Sequence, residues 1–451
     1  MVSKAPHIDY KNALETLKAL LSRGPAKASE AIAALGMSQA AFSKMSRNLP
    51  GEILCVRIGR ENFYALQRDI RGVRNPISIH AVDEKGKVSE SGRLFAIHPR
   101  GFYSEGMGFF EDMPYFLDDL RPSGFLGRLI PYVHPELEAP GNIEDWTADD
   151  AIRYLTRFGC DLIGNLIVGD AAFDLYIASH IEPAAIVKAK ERSLKYPQLA
   201  LEILRHGDPG SSAGGEQPKF PAIAGLKPRP VLVKFSPATK SEVGRRRADL
   251  LACEHLALET IRECGHSAAS SYLIEGGRQI FLEVERFDRT EGRGRKGLIS
   301  LRALSAEFTG MMGAWSDAAV ALEAKGIIDK QALREVRWRE MFGHFIANTD
   351  MHQANISFYF EAGKVSGLAP AYDMLPMLYA PRSEQIIEQD FHPPIPSSSN
   401  SDIWKEALAA GISFWKRASK ERMISASFRK IASKNLGKLT ALLPLGEIFR
   451  D

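Results

Sequence analysis

Little in this sequence is extreme, and each shortage removes a class of protein. Cysteine is scarce: Cys55, Cys160, Cys253 and Cys264 are scattered through 451 residues, with no C-x-x-C pair. That argues against a disulfide framework and against a structural zinc site. No run of about 18 apolar residues occurs, so no membrane span is expected. The first nine residues, Met1–Asp9, lack an apolar h-region. No signal peptide is therefore expected, and the protein reads as cytoplasmic. At 45% hydrophobic and 25% charged, the composition is that of a globular protein, neither collagen-like nor disordered. No internal repeat is present, and the clearest low-complexity stretch, Pro393–Ser401, is expected as a surface loop.

The length suggests two to four domains, at about 100–200 residues each. Net charge is only +3, but its distribution is uneven. Residues 1–74 carry 12 Lys/Arg against 6 Asp/Glu, whereas residues 75–200 carry 12 against 19. A basic block followed by an acidic one suggests different partners.

The basic block reads as three helices and a hairpin. Leucines 14, 17, 20 and 21 recur at helical spacing in Asn12–Ser22. Lys27–Leu35 is a second helix, Gly36 a turn, and Ser38 a cap for a third helix over Gln39–Arg47. Phe42 and Met45 are expected to point inward. Strands follow at Glu52–Ile58 and Phe63–Leu66. This order is that of a winged helix-turn-helix, whose third helix enters the DNA major groove. Its exposed face carries Gln39, Ser43, Lys44 and Arg47. Gln pairs with adenine and Arg with guanine, while Arg57, Arg60 and Arg68 in and beside the wing are expected to meet phosphates. A helical packing or dimerisation module is the alternative.

Three further stretches carry chemistry. Gly207–Lys219 (GDPGSSAGGEQPK) is glycine-rich, so its backbone N–H groups can approach phosphates. It is neither a Walker A sequence nor G-x-G-x-x-G, and alone it also reads as a flexible loop. Next, Val231–Phe235 is a strand with Lys234 inside it, the placement of the phosphate-pairing lysine of protein kinases. Glu254, in the helical segment Val243–Glu263, is its candidate partner. The third stretch joins His344–Phe358 (HFIANTDMHQANISF) to Leu368–Pro376 (LAPAYDMLP). Asp350 and Asn355 are five apart, and Asp373 follows beyond a turn at Ala362-Gly363. Kinases use such a set as one base and two hard oxygen ligands for Mg²⁺.

With these pieces in place, the sequence resembles the HipA family of toxin–antitoxin serine/threonine kinases. The matching segments are GGEQPK at Gly214–Lys219, VLVKFS at Val231–Ser236, EVERFDR at Glu283–Arg289, NTDMHQAN at Asn348–Asn355 and AYDMLP at Ala371–Pro376. The resemblance covers roughly residues 75–440 and implies an α+β fold, two-lobed and protein-kinase-like, using ATP and Mg²⁺. It implies Asp350 as catalytic base, Asn355 and Asp373 as Mg²⁺ ligands, and Lys234 on the α/β-phosphates. Ser212, Gly214, Gly215 and Lys219 would line the phosphate loop, and Glu283, Val284 and Glu285 would form the interlobe hinge offering backbone groups to adenine. Ser211 and Ser212 are the candidates for autophosphorylation of that loop. His352 would buttress the catalytic loop, and Arg286 and Asp288 would be structural ion-pair partners.

Family members ordinarily lack an N-terminal helix-turn-helix. Its presence here resembles the YjjJ-like branch. The expected organisation is a winged helix-turn-helix domain over 1–70, a HipA-like N-terminal subdomain over 75–200, and a kinase core with helical C-terminal lobe over 201–445. The expected partners are operator DNA through residues 1–70, a protein substrate such as an aminoacyl-tRNA synthetase, an antitoxin and a second copy of the chain. Two other readings stay open: a nucleotide-sensing transcriptional regulator without kinase activity, and a metal-dependent toxin acting on DNA through Asp350, His352, Asn355 and Asp373.

Overall fold

The computed structural model describes residues 10–181, 185–205, 217–382 and 385–445. The loop residues Ser211, Ser212, Gly214 and Gly215 lie outside them. The chain begins with α1 (Tyr10–Leu21), β1 (Ala26–Lys27), α2 (Ala28–Leu35), α3 (Gln39–Ser46), β2 (Ile53–Ile58) and β3 (Glu61–Leu66), its strands ordered β1-β3-β2. Helix α1 buries Ala13, Leu17 and Leu21, one face of a 3.6-residue period, against Phe42 and Met45 of α3 and Tyr64 of β3. Gly36 closes α2 at φ +60°, a left-handed conformation that glycine adopts without a Cβ penalty. Ser38 then caps α3, its Oγ accepting the Ala41 N–H at 3.3 Å.

This head is knitted to the second unit of the chain. The Arg68 N–H donates to Ala96 O (3.0 Å), and the His98 N–H to Leu66 O (2.8 Å). The Arg68 guanidinium holds both oxygens of Asp149, at 2.6 and 2.7 Å. Arg68 was expected on DNA phosphates. Its side chain is instead only 9% exposed and fully committed to Asp149 and two backbone carbonyls, so it joins two units rather than facing solvent.

The second unit comprises β4 (Ile77–Val82), β5 (Val88–Ile97), β6 (Gly101–Ser104), β7 (Gly108–Phe110), α4 (Tyr115–Asp118), α5 (Gly124–Val133), α6 (Ala148–Phe158), β8 (Leu166–Val168) and α7 (Asp170–Ile181). Its sheet runs β7-β6-β5-β4-β8. Helix α6 buries Ile152 and Leu155 in the same core as Ile77, Ile79, Leu94 and Phe102.

The third unit is a small lobe: β9 (Ile186–Val187), α8 (Arg192–Arg205), β10 (Lys219–Ala224), β11 (Arg229–Phe235), α9 (Glu242–Glu263), β12 (Ser271–Gly276) and β13 (Gln279–Glu285). The sheet order is β12-β13-β11-β10-β9. Alternation along β11 sends Val231, Val233 and Phe235 to the face that buries Tyr196 of α8, and Lys234 to the face of α9. This corrects the expected boundary at residue 200. Strand β9 pairs with β10, and Tyr196 packs on Phe220 and Phe281, so residues 185–205 belong to this lobe.

The large lobe contains β14 (Leu298–Ser300), α10 (Leu301–Phe308), α11 (Trp315–Ala324), α12 (Lys330–Phe345), β15 (Ser357–Glu361), β16 (Lys364–Leu368), α13 (Ser401–Ala418) and α14 (Ala426–Thr440). Trp338, Phe342 and Phe345 of α12 are buried with Phe414 and Trp415 of α13. The β15–β16 hairpin turns at Ala362 and Gly363, both at positive φ, where the sequence placed its turn.

Charged junctions join the second unit to the kinase-like lobes. Asp161 pairs with Arg286 (3.1 Å) and Arg289 (2.8 Å), and both arginines pair with the buried Asp288. Asp288 also accepts the Gly164 N–H at 2.9 Å. Arg286 and Asp288 are thus ion-pair partners. Among the described residues, no helix is long and apolar enough to cross a membrane.

Candidate active site

Lys234 is buried at the centre of the small-lobe sheet, opposite Lys219 on β10 and Leu282 on β13. A buried ammonium requires a partner. Helix α9 supplies one: Glu254, 1% exposed, whose Oε1 lies 2.6 Å from Lys234 Nζ. Asp373 of the large lobe supplies a second, accepting from the same Nζ. The lysine therefore ties both lobes together. Burial favours the neutral amine, but Asp373 and Glu254 outweigh it and hold the Lys234 pKa above its ordinary value. Burial also disfavours the Asp373 carboxylate. Lys234 and then Lys219 overcome that and pull Asp373 down to about 2. Glu254 is the reverse case: burial pushes it up, despite Lys234, and its buried Oε2 has no hydrogen-bond partner among the described residues.

Asp373 follows the β15–β16 hairpin, as its spacing predicted. Its φ is +53°, a backbone state that costs a non-glycine residue about 1–3 kcal/mol and persists only when neighbours enforce it. The neighbours are visible. Met374 is 1% exposed, and the Tyr372 hydroxyl shares a hydrogen bond with Ser357 Oγ (2.7 Å) and donates to Ala354 O (3.0 Å). The segment carrying Asp373 is thereby locked to the loop carrying Asp350.

That loop leaves α12 at Ile346. Asn348, 3% exposed, accepts the Asp350 N–H through its Oδ1 at 3.1 Å. Asn355 Nδ2 donates to Asp350 O (2.9 Å), and the Asn355 N–H to His352 O (2.9 Å). Trp315 Nε1 also donates to His352 O, at 3.0 Å. His352 thus braces the loop through its carbonyl, while its ring is exposed. Asp350 is presented to solvent, and among the described residues no protein donor reaches its carboxylate.

The donors suit a hard divalent cation. Asn355 commits its amide nitrogen to the loop, which leaves Oδ1 without a hydrogen-bond donor among the described residues. Asp373 is held ionised. Two protein oxygens with the rest of the shell left to water and phosphate is how Mg²⁺ is commonly bound. Among the described residues, no group of three His, Cys, Asp or Glu side chains forms a closed metal cage.

The hinge residues are placed differently from expectation. Glu283 turns to the outer face, where Arg192 (2.7 Å) and the Tyr196 hydroxyl hold it. Val284 packs into the core with Leu282, and Glu285 pairs with Arg229. Strand β13 is interior, so its ladders to β12 and β11 consume the backbone groups of Glu283 and Val284 that adenine was expected to use. The chain leaves the ladder after Glu285, whose N–H donates to Ser270 O at 2.8 Å.

In the head, Gln39, Ser43 and Lys44 are exposed on α3 and Arg47 is exposed at its C-cap, where the expected helix ends one residue early; Arg57 and Arg60 are exposed in the hairpin. Phe42 and Met45 are buried between them and the core. Sequence reasoning missed Asn348 and Tyr372. Asn348 sits two residues before Asp350, the only signal the sequence offers; Tyr372 acts across a fold that spacing does not reveal.

The lysine–glutamate pair on a strand and helix, a loop aspartate and asparagine five apart, and an aspartate after the next hairpin define a two-lobed, kinase-like HipA fold. The comparisons agree. Residues 73–177 match the family model of the YjjJ-like toxin middle domain, and residues 211–435 that of the HipA-like C-terminal domain. The chain is 34% identical over 437 residues to Toxin YjjJ of Escherichia coli (strain K12), covering 93% of this chain and 96% of that protein. It therefore belongs to the YjjJ-like toxins of the HipA family. Among solved structures, the HipA of Shewanella oneidensis MR-1, in complex with HipB and its operator DNA, matches at a TM-score of 0.52 and 17% identity, over 82% of this chain and 99% of that one.

Proposed function

We propose that the chain is an ATP- and Mg²⁺-dependent serine/threonine protein kinase toxin that carries its own DNA-binding head. The observation that supports this best is the Lys234–Glu254–Asp373 cluster, with Asp350 and Asn355 braced beside it. In this reading Lys234, with Lys219 facing it across the β10–β11 ladder, receives the phosphates. Asn355 Oδ1 and Asp373 hold Mg²⁺, which neutralises phosphate charge when bound. Asp350, unencumbered by protein donors, orients the acceptor hydroxyl and accepts its proton. Beyond the ladder, which ends at Glu285, the backbone of Phe287 is offered to the adenine edge. Ser211 and Ser212 are kept as autophosphorylation candidates on the glycine-rich loop.

The substrate proposed is a translation-related protein such as an aminoacyl-tRNA synthetase, whose phosphorylation arrests growth in the cytoplasm. The HipA neighbour is seen with HipB and operator DNA. Here residues 10–66 have the elements of a winged helix-turn-helix, with Gln39, Ser43, Lys44, Arg47, Arg57 and Arg60 on its open side. We assign operator binding to this head, two copies of the chain engaging two half-sites, with or without an antitoxin.

The test is transfer from γ-labelled ATP with Mg²⁺ to the protein itself and to a cell extract. Wild type should label; Asp350→Asn should lose transfer and keep nucleotide binding. Equal label in both proteins, or loss of both functions in the variant, would refute the assigned roles.

A further inference from the structure

Beside the catalytic loop, the chain exposes two consecutive methionines. Met311 is 39% and Met312 77% exposed, between Gly310 and Gly313, both at positive φ. The segment Thr309–Gly313 links α10 to α11. Its backbone is tightly held despite the exposed side chains. Met311 O accepts from Ser305 Oγ (2.6 Å) and from Gln353 Nε2 (3.1 Å). Gln353 Nε2 also reaches Gly313 O (3.4 Å), and the Met311 N–H donates to Thr309 Oγ1 (3.2 Å). Gln353 is 6% exposed and belongs to the loop that carries Asp350. Trp315, two residues beyond Gly313, is 1% exposed and anchors on His352 O. The fold thus holds the backbone of this segment on Gln353, three positions beyond Asp350, while the segment exposes two apolar side chains.

Scattered single apolar residues on a surface need no explanation. An adjacent exposed pair whose backbone is bonded to the Asp350 loop differs, because it stands within reach of a chain that presents a hydroxyl to Asp350. We propose that Thr309–Gly313 is a docking platform, on which Met311 and Met312 receive an apolar side chain of the protein substrate flanking the phosphorylated serine or threonine. This rests on the kinase reading above and adds a substrate preference to it. Two residues lie between Asp350 and Gln353, so their three steps of chain span at most about 11 Å. With the Gln353 side chain and its hydrogen bond added the reach is about 18 Å, and an extended substrate advances about 3.3 Å per residue, so the residue read lies within about five positions of the acceptor. Methionine suits the role: its unbranched thioether adapts to Leu, Met or Phe alike.

The experiment is phosphorylation of a positional-scanning Ser/Thr peptide library with γ-labelled ATP. The full chain, its Met311→Ser/Met312→Ser double variant and Met312→Leu are compared, with self-labelling as an internal readout. Wild type should favour Leu, Met or Phe over Asp or Lys at one flanking position by about tenfold, the usual discrimination of a modest apolar contact. The double variant should flatten that preference while its self-labelling and nucleotide affinity stay unchanged, and Met312→Leu should keep it. An apolar preference that survives the double substitution, or no preference in wild type, overturns the platform. Self-labelling without any peptide labelling overturns the platform and leaves the kinase standing. No label anywhere overturns both.

Discussion

Replacing Lys234 by methionine keeps most of the stem's volume and removes the charge that Glu254 and Asp373 both contact. Two carboxylates then face each other in a site where Glu254 is 1% exposed. Removing one partner from a buried ion pair costs about 3–5 kcal/mol, because the other charge stays buried. Lys219, which also lowers Asp373, offsets part of this, so about 3 kcal/mol is expected at pH 8. In a lobe of about 100 residues each kcal/mol moves the midpoint by about 4–8 °C, so the small-lobe transition should fall by about 12–24 °C. The pH dependence is the sharper part. Burial already pushes Glu254 up, and Lys234 opposes that. Without Lys234, burial and Asp373 act together to raise it. A carboxyl raised in the folded state favours folding as pH falls, so the deficit of Lys234→Met should shrink from pH 8 to pH 5. Calorimetry of the full chain at both pH values reads this directly. A deficit equal at the two, or absent, would show that the three groups do not share one desolvated site. Glu254→Gln should cost less than Lys234→Met, since it leaves Lys234 paired with Asp373.

Other outcomes rest on the same geometry. Asp373, at about 2 against an ordinary 3.8, contributes about 2 kcal/mol that is present above pH 4 and lost as pH falls toward 2; the acid-unfolding curve of Asp373→Asn should lack that segment. Gln39→Ala and Arg47→Ala should each weaken operator binding by about 1–3 kcal/mol in a gel-shift titration, as lost base contacts do. Arg68→Ala should leave the salt dependence of DNA binding unchanged, yet speed hydrogen exchange across residues 66–68 and 96–98, because it holds Asp149 rather than phosphate. Gly297→Ala should destabilise the large lobe by about 1–3 kcal/mol on denaturant titration, since a Cβ there would meet Phe360 O at 1.9 Å, a backbone atom that cannot easily move.

The structure also separates what local pattern reveals from what it hides. The head's helices and hairpin were readable because their signals are short-range: leucine periodicity in α1, Gly36 in a turn, Ser38 as a cap. Lys234, Glu254, Asp350, Asn355 and Asp373 could be singled out as candidates because a kinase-like site uses these residue types in this order. The hinge was read too early. An alternating strand such as Gln279–Glu285 does not announce whether it lies at an edge or between two neighbours, and that decides whether its backbone groups are free.

The sequence by itself determined the kinase-like set of residues, the basic head and the acidic block, because residue chemistry and spacing are properties of the chain. Only the tertiary structure decided their partners. It put Lys234 on two carboxylates 20 and 139 positions away, took Arg68 from DNA to Asp149, and set the Met311–Met312 segment beside the loop that carries Asp350. Each depends on which surfaces are buried together, a global outcome of packing that no window of sequence contains.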